Sequence, residues 1–211
     1  MKLHLGCGKR DFPGFINVDL ADYPHINYRR SVDDLSIFED NSADLIYASH
    51  VLEYFSLEDA ERVLTEWRRV LKPGGILKLA VPDFGGLARA YQKFEDVGLF
   101  QGIIYGLIKP NNIQDQPLFH KTIYDFRLLQ KVLEENGFTN VKTYNWQDFL
   151  ESGQEDHSMA YIPSRDYENG ILVSLNIQAE KSGSLLNITS QIKHKSIKYA
   201  KRAFNKIRKF I

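Results

Sequence analysis

The stretch Lys2-Leu3-His4-Leu5-Gly6-Cys7-Gly8-Lys9-Arg10 constrains this chain most. A short apolar run stops at Gly-x-Gly, the way a buried strand delivers its backbone into a tight turn beneath a nucleoside. Taken alone, such a pair also serves turns that need only backbone freedom. The next segment narrows the choice. Phe15-Ile16-Asn17-Val18-Asp19 is a second apolar strand closing on a carboxylate, and an acid at the end of a second strand is placed to accept hydrogen bonds from ribose hydroxyls. A dinucleotide fingerprint would carry a third glycine and an acid about twenty residues on. Here position 11 is Asp11, and Asp19 comes much sooner.

Only Lys9 to Gly14 separate the first two strands, so the usual crossover helix is cut to a turn. Asn27 to Val32 reads as a third strand, followed by Asp33-Asp34-Leu35. That acidic pair either faces a ligand or caps a solvated turn. Asp44 to Ala48 is a fourth strand ending at Ser49-His50-Val51-Leu52-Glu53. Ligands collect at this edge of an open α/β sheet, so His50 is read either as a residue facing a ligand or as a histidine satisfied inside the fold. Glu53 is placed to orient backbone or His50.

Ser56 and Asp59 resemble a capping box, and Ala60, Val63, Leu64, Trp67, Val70 and Leu71 then recur with helical period up to Lys72-Pro73-Gly74-Gly75. Trp67 is read as core. Ile76 to Val81 forms a fifth strand that delivers Asp83, either toward a substrate or as the cap of the next helix. Gly98 to Gln116 interrupts the pattern. His120 precedes a helix carrying Phe126, Leu129, Val132 and Leu133 that closes at Gly137. Val141 to Tyr144 reads as a sixth strand and Gly170 to Ala179 as a seventh, antiparallel and at the edge. Glu155 to Pro163 is expected to wall a pocket.

At 211 residues and 43% hydrophobic content the chain can bury one sizeable core. No apolar run is long enough to span a bilayer and the first residues read as strand, so a cytoplasmic protein is expected. The single cysteine, Cys7, is read as a small packing residue, and the six histidines lack zinc-like spacing, so no metal is expected. The zero net charge conceals a division. Nine of the 27 basic residues and none of the 27 acids lie from Lys181 onward, leaving a body near −9 and a tail near +9. Residues 1–180 are thus read as the domain and 181–211 as a basic amphipathic tail. Ile197, Ala200, Phe204, Ile207 and Ile211 share one helical face and the cations the other. Such a helix can lie on an anionic membrane, dock on the acidic body or stay disordered. Nucleic acid is not expected, because the body is acidic.

In their order, Leu5-Gly6-Cys7-Gly8, Pro13 to Asp19, Asp44 to Glu53, Leu71 to Gly75 and Asn136-Gly137-Phe138 resemble the class I methyltransferases dependent on S-adenosylmethionine (SAM). The similarity is to their compact bacterial branch, methyltransferase type 11-like, often associated with surface-polysaccharide biosynthesis. The resemblance implies a Rossmann-like, seven-stranded, mostly parallel sheet with an antiparallel last strand. It implies SAM as cofactor, held by Leu5, Gly6, Cys7, Gly8, Asp19, Leu20, Asp34, Leu35, Ser49 and His50, with Asp34 on the adenine amine and Leu35 covering the ring. His50, His120 and Asp83 are the catalytic candidates that face the acceptor, and the insertion after the fifth strand would cover the acceptor site. The acceptor implied is a small molecule or glycan, a lipid-linked sugar included, taking the methyl on oxygen. Two rivals stand beside this reading: a SAM-binding module without turnover, and a nucleotide-dependent oxidoreductase.

Overall fold

The structure is a computed structural model and describes residues 1–106, 117–151 and 153–183. Apolar runs too short for helices set β1 (Lys2–Leu5) and β2 (Ile16–Asp19) side by side, and the exposed pair β3 (Tyr28–Arg29), shorter than the expected Asn27 to Val32, adds on beside β2. β4 (Ala43–Ser49) and β5 (Leu71–Pro82) continue the sheet on the other flank of β1. All of these pairings are parallel. Between β4 and β5 runs α1 (Leu57–Val70), whose Ser56 hydroxyl accepts the Asp59 amide at 3.1 Å as the capping pattern predicts. Its stripe of Ala60, Val63, Leu64, Trp67 and Val70 is buried in the main core, and the Trp67 indole donates to the Val32 carbonyl at 2.7 Å.

The helix stops at Val70, earlier than expected, and β5 begins at Leu71, not Ile76. Lys72 to Gly75 form an irregularity within that strand's pairing with β4, with Gly74 at positive φ. α2 (Phe84–Phe94), α3 (Gln101–Tyr105) and α4 (Phe126–Glu135) follow. The Gly98 to Gln116 segment therefore begins in short helices, and its residues 107–116 lie outside the described residues. β6 (Phe138–Thr143) starts earlier in sequence than Val141.

The segment read as one seventh strand is two. β8 (Ile171–Leu172) pairs with β7 (Tyr161–Ile162) in a separate ribbon, and β9 (Ser174–Lys181) joins the main sheet. The main sheet runs β3-β2-β1-β4-β5-β9-β6, so β9 is antiparallel as expected but lies inside the sheet, between β5 and β6. Physically, Leu175, Ile177 and Ala179 are buried along with Ser174 and Asn176 on the alternate positions, so both faces of β9 are covered, as an edge strand's would not be. β9 also takes in Lys181, whose ammonium donates to the Leu71 carbonyl at 2.5 Å; the tail residues 184–211 lie outside the described residues.

No helix connects β1 to β2, as expected from their spacing. Aromatic side chains take its place: Phe12 stacks on His4 with ring centroids 4.8 Å apart, and Phe15, Tyr47 and Phe149 close around them. Burial lowers the His4 pKa to about 4, so this ring packs as a neutral aromatic.

Candidate functional site

The strand order reverses direction between β1 and β4, and ligands in such sheets sit beyond the carboxyl ends of the strands at that point. The glycine loop lies there. Gly6 has φ of +65° and a Cβ on it would overlap a methyl of Val51, so only glycine fits. Gly8, φ +54°, faces open space. The Gly6 amide donates to the Val18 carbonyl at 2.8 Å, and the Gly8 amide donates to Asp19 Oδ2 at 2.8 Å. The other Asp19 oxygen accepts the Ala21 amide at 2.7 Å. His25 Nε2 lies 2.9 Å from the Gly8 carbonyl, a brace that sequence reasoning missed. Cys7 is buried and its thiol is pushed up to about 12, chiefly by desolvation and then by Asp19, which makes it a packing residue. Leu5 is in the core, Leu20 is exposed beside Asp19, and the Ser49 hydroxyl is buried at the end of β4 with no hydrogen-bond partner.

Other candidates are placed differently. Leu35 is fully buried, its amide donating to Glu66, so its side chain packs in the core instead of lying open to cover a ring. Asp34 is exposed, accepts the Ser36 amide at 3.2 Å and pairs with Arg30 at 3.4 Å. Asp33 pairs with Arg62 at 2.5 Å. Of its two possible roles, Asp83 fills the cap: its oxygens accept the Gly85 and Gly86 amides at 3.0 and 2.9 Å, with Arg89 at 3.5 Å, so it is not free to react.

The structure brings His50 and His120 together around Glu53. Glu53 Oε1 is 3.3 Å from His50 Nδ1 and 3.8 Å from His120 Nε2, in neither case aligned as a hydrogen bond. The network assigns the tautomers. Asn176 donates its amide to the Ser158 carbonyl, so its Oδ1 accepts from the Ser174 hydroxyl at 3.1 Å, and Ser174 in turn accepts from His50 Nε2 at 3.2 Å. His120 Nδ1 donates to the Ile103 carbonyl at 3.0 Å. Both rings thus turn their unprotonated nitrogen toward the carboxyl. Desolvation lowers the His50 pKa well below 6.5, with His157 and His120 adding to it, and lowers that of His120 as well. Desolvation raises Glu53 from 4.5 to about 8. Two neutral imidazoles facing a protonated carboxyl is the arrangement these shifts favour.

Beside this group opens a cleft of about 500 Å³, walled by residues 155–157 and 159–165, in keeping with the expectation for the Glu155 to Pro163 stretch, and by Arg10, Leu99, Ile103 and Tyr167. His157 lines it, its ring centroid 5.2 Å from that of His50. The ring is exposed to the cleft, yet the protein mass behind it and then the Arg10 charge hold its pKa below 6.5. Neither His157 nor Arg10 was assigned a role from sequence. Arg10 stands in the opening stretch and His157 in the wall stretch, but nothing in either pattern reveals a shared cleft. No group of His, Cys, Asp and Glu able to hold a metal occurs among the described residues.

Residues 15–79 match the profile of a methyltransferase domain family. No curated protein sequence matches the chain. Solved structures share the fold. A SAM-dependent methyltransferase from Methanosarcina mazei is 19% identical, with a TM-score of 0.51 over 86% of this chain and 92% of that one. The 1,6-didemethyltoxoflavin-N1-methyltransferase of Burkholderia thailandensis, with bound S-adenosylhomocysteine, is 15% identical, with a TM-score of 0.50 over 86% and 70%. A protein from Pyrococcus horikoshii is 18% identical, with a TM-score of 0.51 over 86% and 81%. At these identities the likeness establishes the fold, the Rossmann-like α/β sheet with one antiparallel strand.

Glu53 makes this site sensitive to pH. Its carboxyl ionises near 4.5 when unfolded and near 8 when folded, so the stability it allows is full below pH 4.5 and is lost as pH rises through 8. Glu53→Gln is expected to flatten this dependence, with a difference on the order of 4 kcal/mol at most accumulating between the two proteins across that window. Urea unfolding at a series of pH values checks it; parallel curves would mean that the carboxyl is ionised in the fold.

Proposed function

We propose that this protein is a SAM-dependent methyltransferase acting on a hydroxyl of a small-molecule or glycan acceptor, a lipid-linked sugar among the candidates. One observation carries the reading: the glycine loop, braced on Asp19 at the point where the sheet reverses order, opens beside a cleft that holds an imidazole. The residues there fit the cofactor. Gly8 leaves open space, each Asp19 oxygen accepts only one backbone amide, the Ser49 hydroxyl lacks a partner, and Leu20 offers an exposed apolar side chain. When bound, SAM supplies an electrophilic methyl on a sulfonium with a good leaving group. What remains for the chain is to align the nucleophile, exclude water and take a proton.

Proton transfer is allotted by exposure. His50 and His120 turn their basic nitrogens inward to Glu53, while His157 opens onto the cleft and is neutral at physiological pH. His157 therefore accepts the acceptor's hydroxyl proton, and the buried trio fixes the wall behind it. The profile match over residues 15–79 supports the methyltransferase class. The module without turnover and the oxidoreductase remain the rivals that experiment must separate.

Calorimetric titration with SAM, S-adenosylhomocysteine and NAD tests the cofactor. Micromolar binding of the first two, lost in Asp19→Ala, is expected; binding of NAD alone, or of nothing, would overturn the reading. For the base, the acid limb of kcat/KM is expected below pH 6.5, since the lowered pKa keeps His157 unprotonated there, and His157→Gln should slow transfer about 10²- to 10⁴-fold. An unchanged rate in that variant would remove His157 from the chemistry.

The basic tail extends the proposal to the membrane. Its support is the sequence pattern from 181 to 211, each cation near an anionic surface contributing roughly 1 kcal/mol. No helix among the described residues is long and apolar enough to cross a membrane. The full chain is expected to co-sediment with phosphatidylglycerol vesicles at low salt, and a chain ending at Gly183 to stay in the supernatant; equal partitioning would exclude the tail as anchor.

A further inference from the structure

We infer that the cleft beside the glycine loop takes an anionic, hydroxylated ligand, a hexuronate or hexose phosphate, whose carboxylate or phosphate is held by Arg10. Only the naming of that ligand as the methyl acceptor rests on the proposed activity; the site itself stands on the geometry.

Arg10 is half-buried and lines the cleft, yet no carboxylate among the described residues lies within ion-pair distance of it. Among the described residues its side chain makes a long hydrogen bond, 3.4 Å, from Nε to the Glu155 carbonyl. Several arginines of the fold are matched, Arg62 to Asp33, Arg69 to Glu66 and Asp40, and Arg165 to Glu155 at 2.8 Å, while Arg68, like Arg10, forms no ion pair among the described residues but lines no part of the cleft. The cleft's own acids do not answer Arg10. Glu155 is committed to Arg165, and buried Asp156 accepts the Tyr47 hydroxyl on one oxygen and the Ser158 amide on the other at 2.8 Å.

The neighbouring rings of His50 and His157 supply no negative charge in either protonation state, and the Arg10 charge contributes to lowering the pKa of both. A guanidinium presents a planar fork of donors suited to the two oxygens of a carboxylate or phosphate. Placed on a cleft of about 500 Å³, it meets a volume within the usual range for small-molecule sites.

The remaining wall indicates what the anion is attached to. Tyr161 packs edge-on against Tyr167 at 5.3 Å, and Tyr167 against Trp146 at 5.7 Å, giving amphipathic aromatic surface at the cleft. Leu99, Ile103 and Met159 add apolar wall. A sugar ring, with apolar C–H faces and hydroxyl edges, matches that mixture, and its hydroxyls come within the compartment that His157 lines.

The test uses the full chain with glucuronate, glucose 1-phosphate and unmodified glucose as probes in calorimetric or saturation-transfer titrations. Both anionic probes, or one of them, should bind at least about tenfold more tightly than glucose, the comparison of the two telling carboxylate from phosphate. Arg10→Gln should abolish that preference, and Arg10→Lys should restore part of it. S-adenosylhomocysteine affinity and the circular dichroism spectrum, read on the same preparations, show that the variants keep the fold and the cofactor site. Equal affinity for glucose, an anion preference that survives Arg10→Gln, or no binding of either anion at millimolar concentration would overturn the inference. An intact anion preference in a wild-type protein that binds no S-adenosylhomocysteine would sink the proposed activity and leave this site standing.

Discussion

The backbone turn through Gly6 is the constraint on which the rest of the site depends. Val51 occupies the space a side chain would need, so the end of β1 and the segment after β4 are packed backbone against side chain with no slack. That contact fixes the distance between the end of β1 and the segment after β4. The Gly6 amide to Val18 and the Gly8 amide to Asp19 then tie the loop to β2, so the carboxylate and the glycine turn are joined directly. A loop held at both ends in this way is preorganised, which reduces the ordering cost of binding.

Burial sorts the site's titratable groups into two sets. Glu53, His50 and His120 are withdrawn from water, and desolvation makes the neutral form of each the stable one. His50 joins Ser174 and Asn176 in a chain of donors and acceptors, while His120 donates to the Ile103 carbonyl and the Glu53 oxygens make no aligned hydrogen bond. Arg10 stands outside that chain, charged and facing the cleft. On a wall whose Arg165 and Glu155 neutralise each other, this unpaired cation favours an anionic ligand, because among the described residues it has no carboxylate to leave.

Much of the sheet was legible because buried parallel strands leave short apolar runs between glycine and acidic punctuation, as at Leu3 to Gly6 and Phe15 to Asp19. The capping box at Ser56 was legible for a similar local reason. What failed depended on contacts distant in sequence. The strand read at Gly170 to Ala179 divides because Ile171 and Leu172 pair with Tyr161 and Ile162 instead of β5, and β9 is interior because β6 pairs on its far side. Leu35 is core because Glu66 and Arg69 of α1 capture the backbone around it. The convergence of residues 50, 53, 120 and 157 was half visible: position at a strand end pointed to His50, while the orientation of each ring depends on Ser174 and Ile103, which no motif announces.

The shortened first crossover links these observations. A helix after β1 would have covered this face of the sheet and carried the chain away from the site before β2. Here residues 6–15 cover it with Phe12 and Phe15 stacked around His4, and because the turn stays close to the strand ends, Arg10 emerges beside Glu155 and His157. Two residues beyond Gly8, one loop thus reaches both compartments: its amides and open glycine face the nucleoside side, and its arginine faces the cleft. In a longer crossover those contacts would be supplied by separate elements whose spacing could drift. Joined within five residues of chain, Gly6 to Arg10, the glycine turn and the cleft arginine stay close together, the kind of positioning that the proposed transfer would draw on.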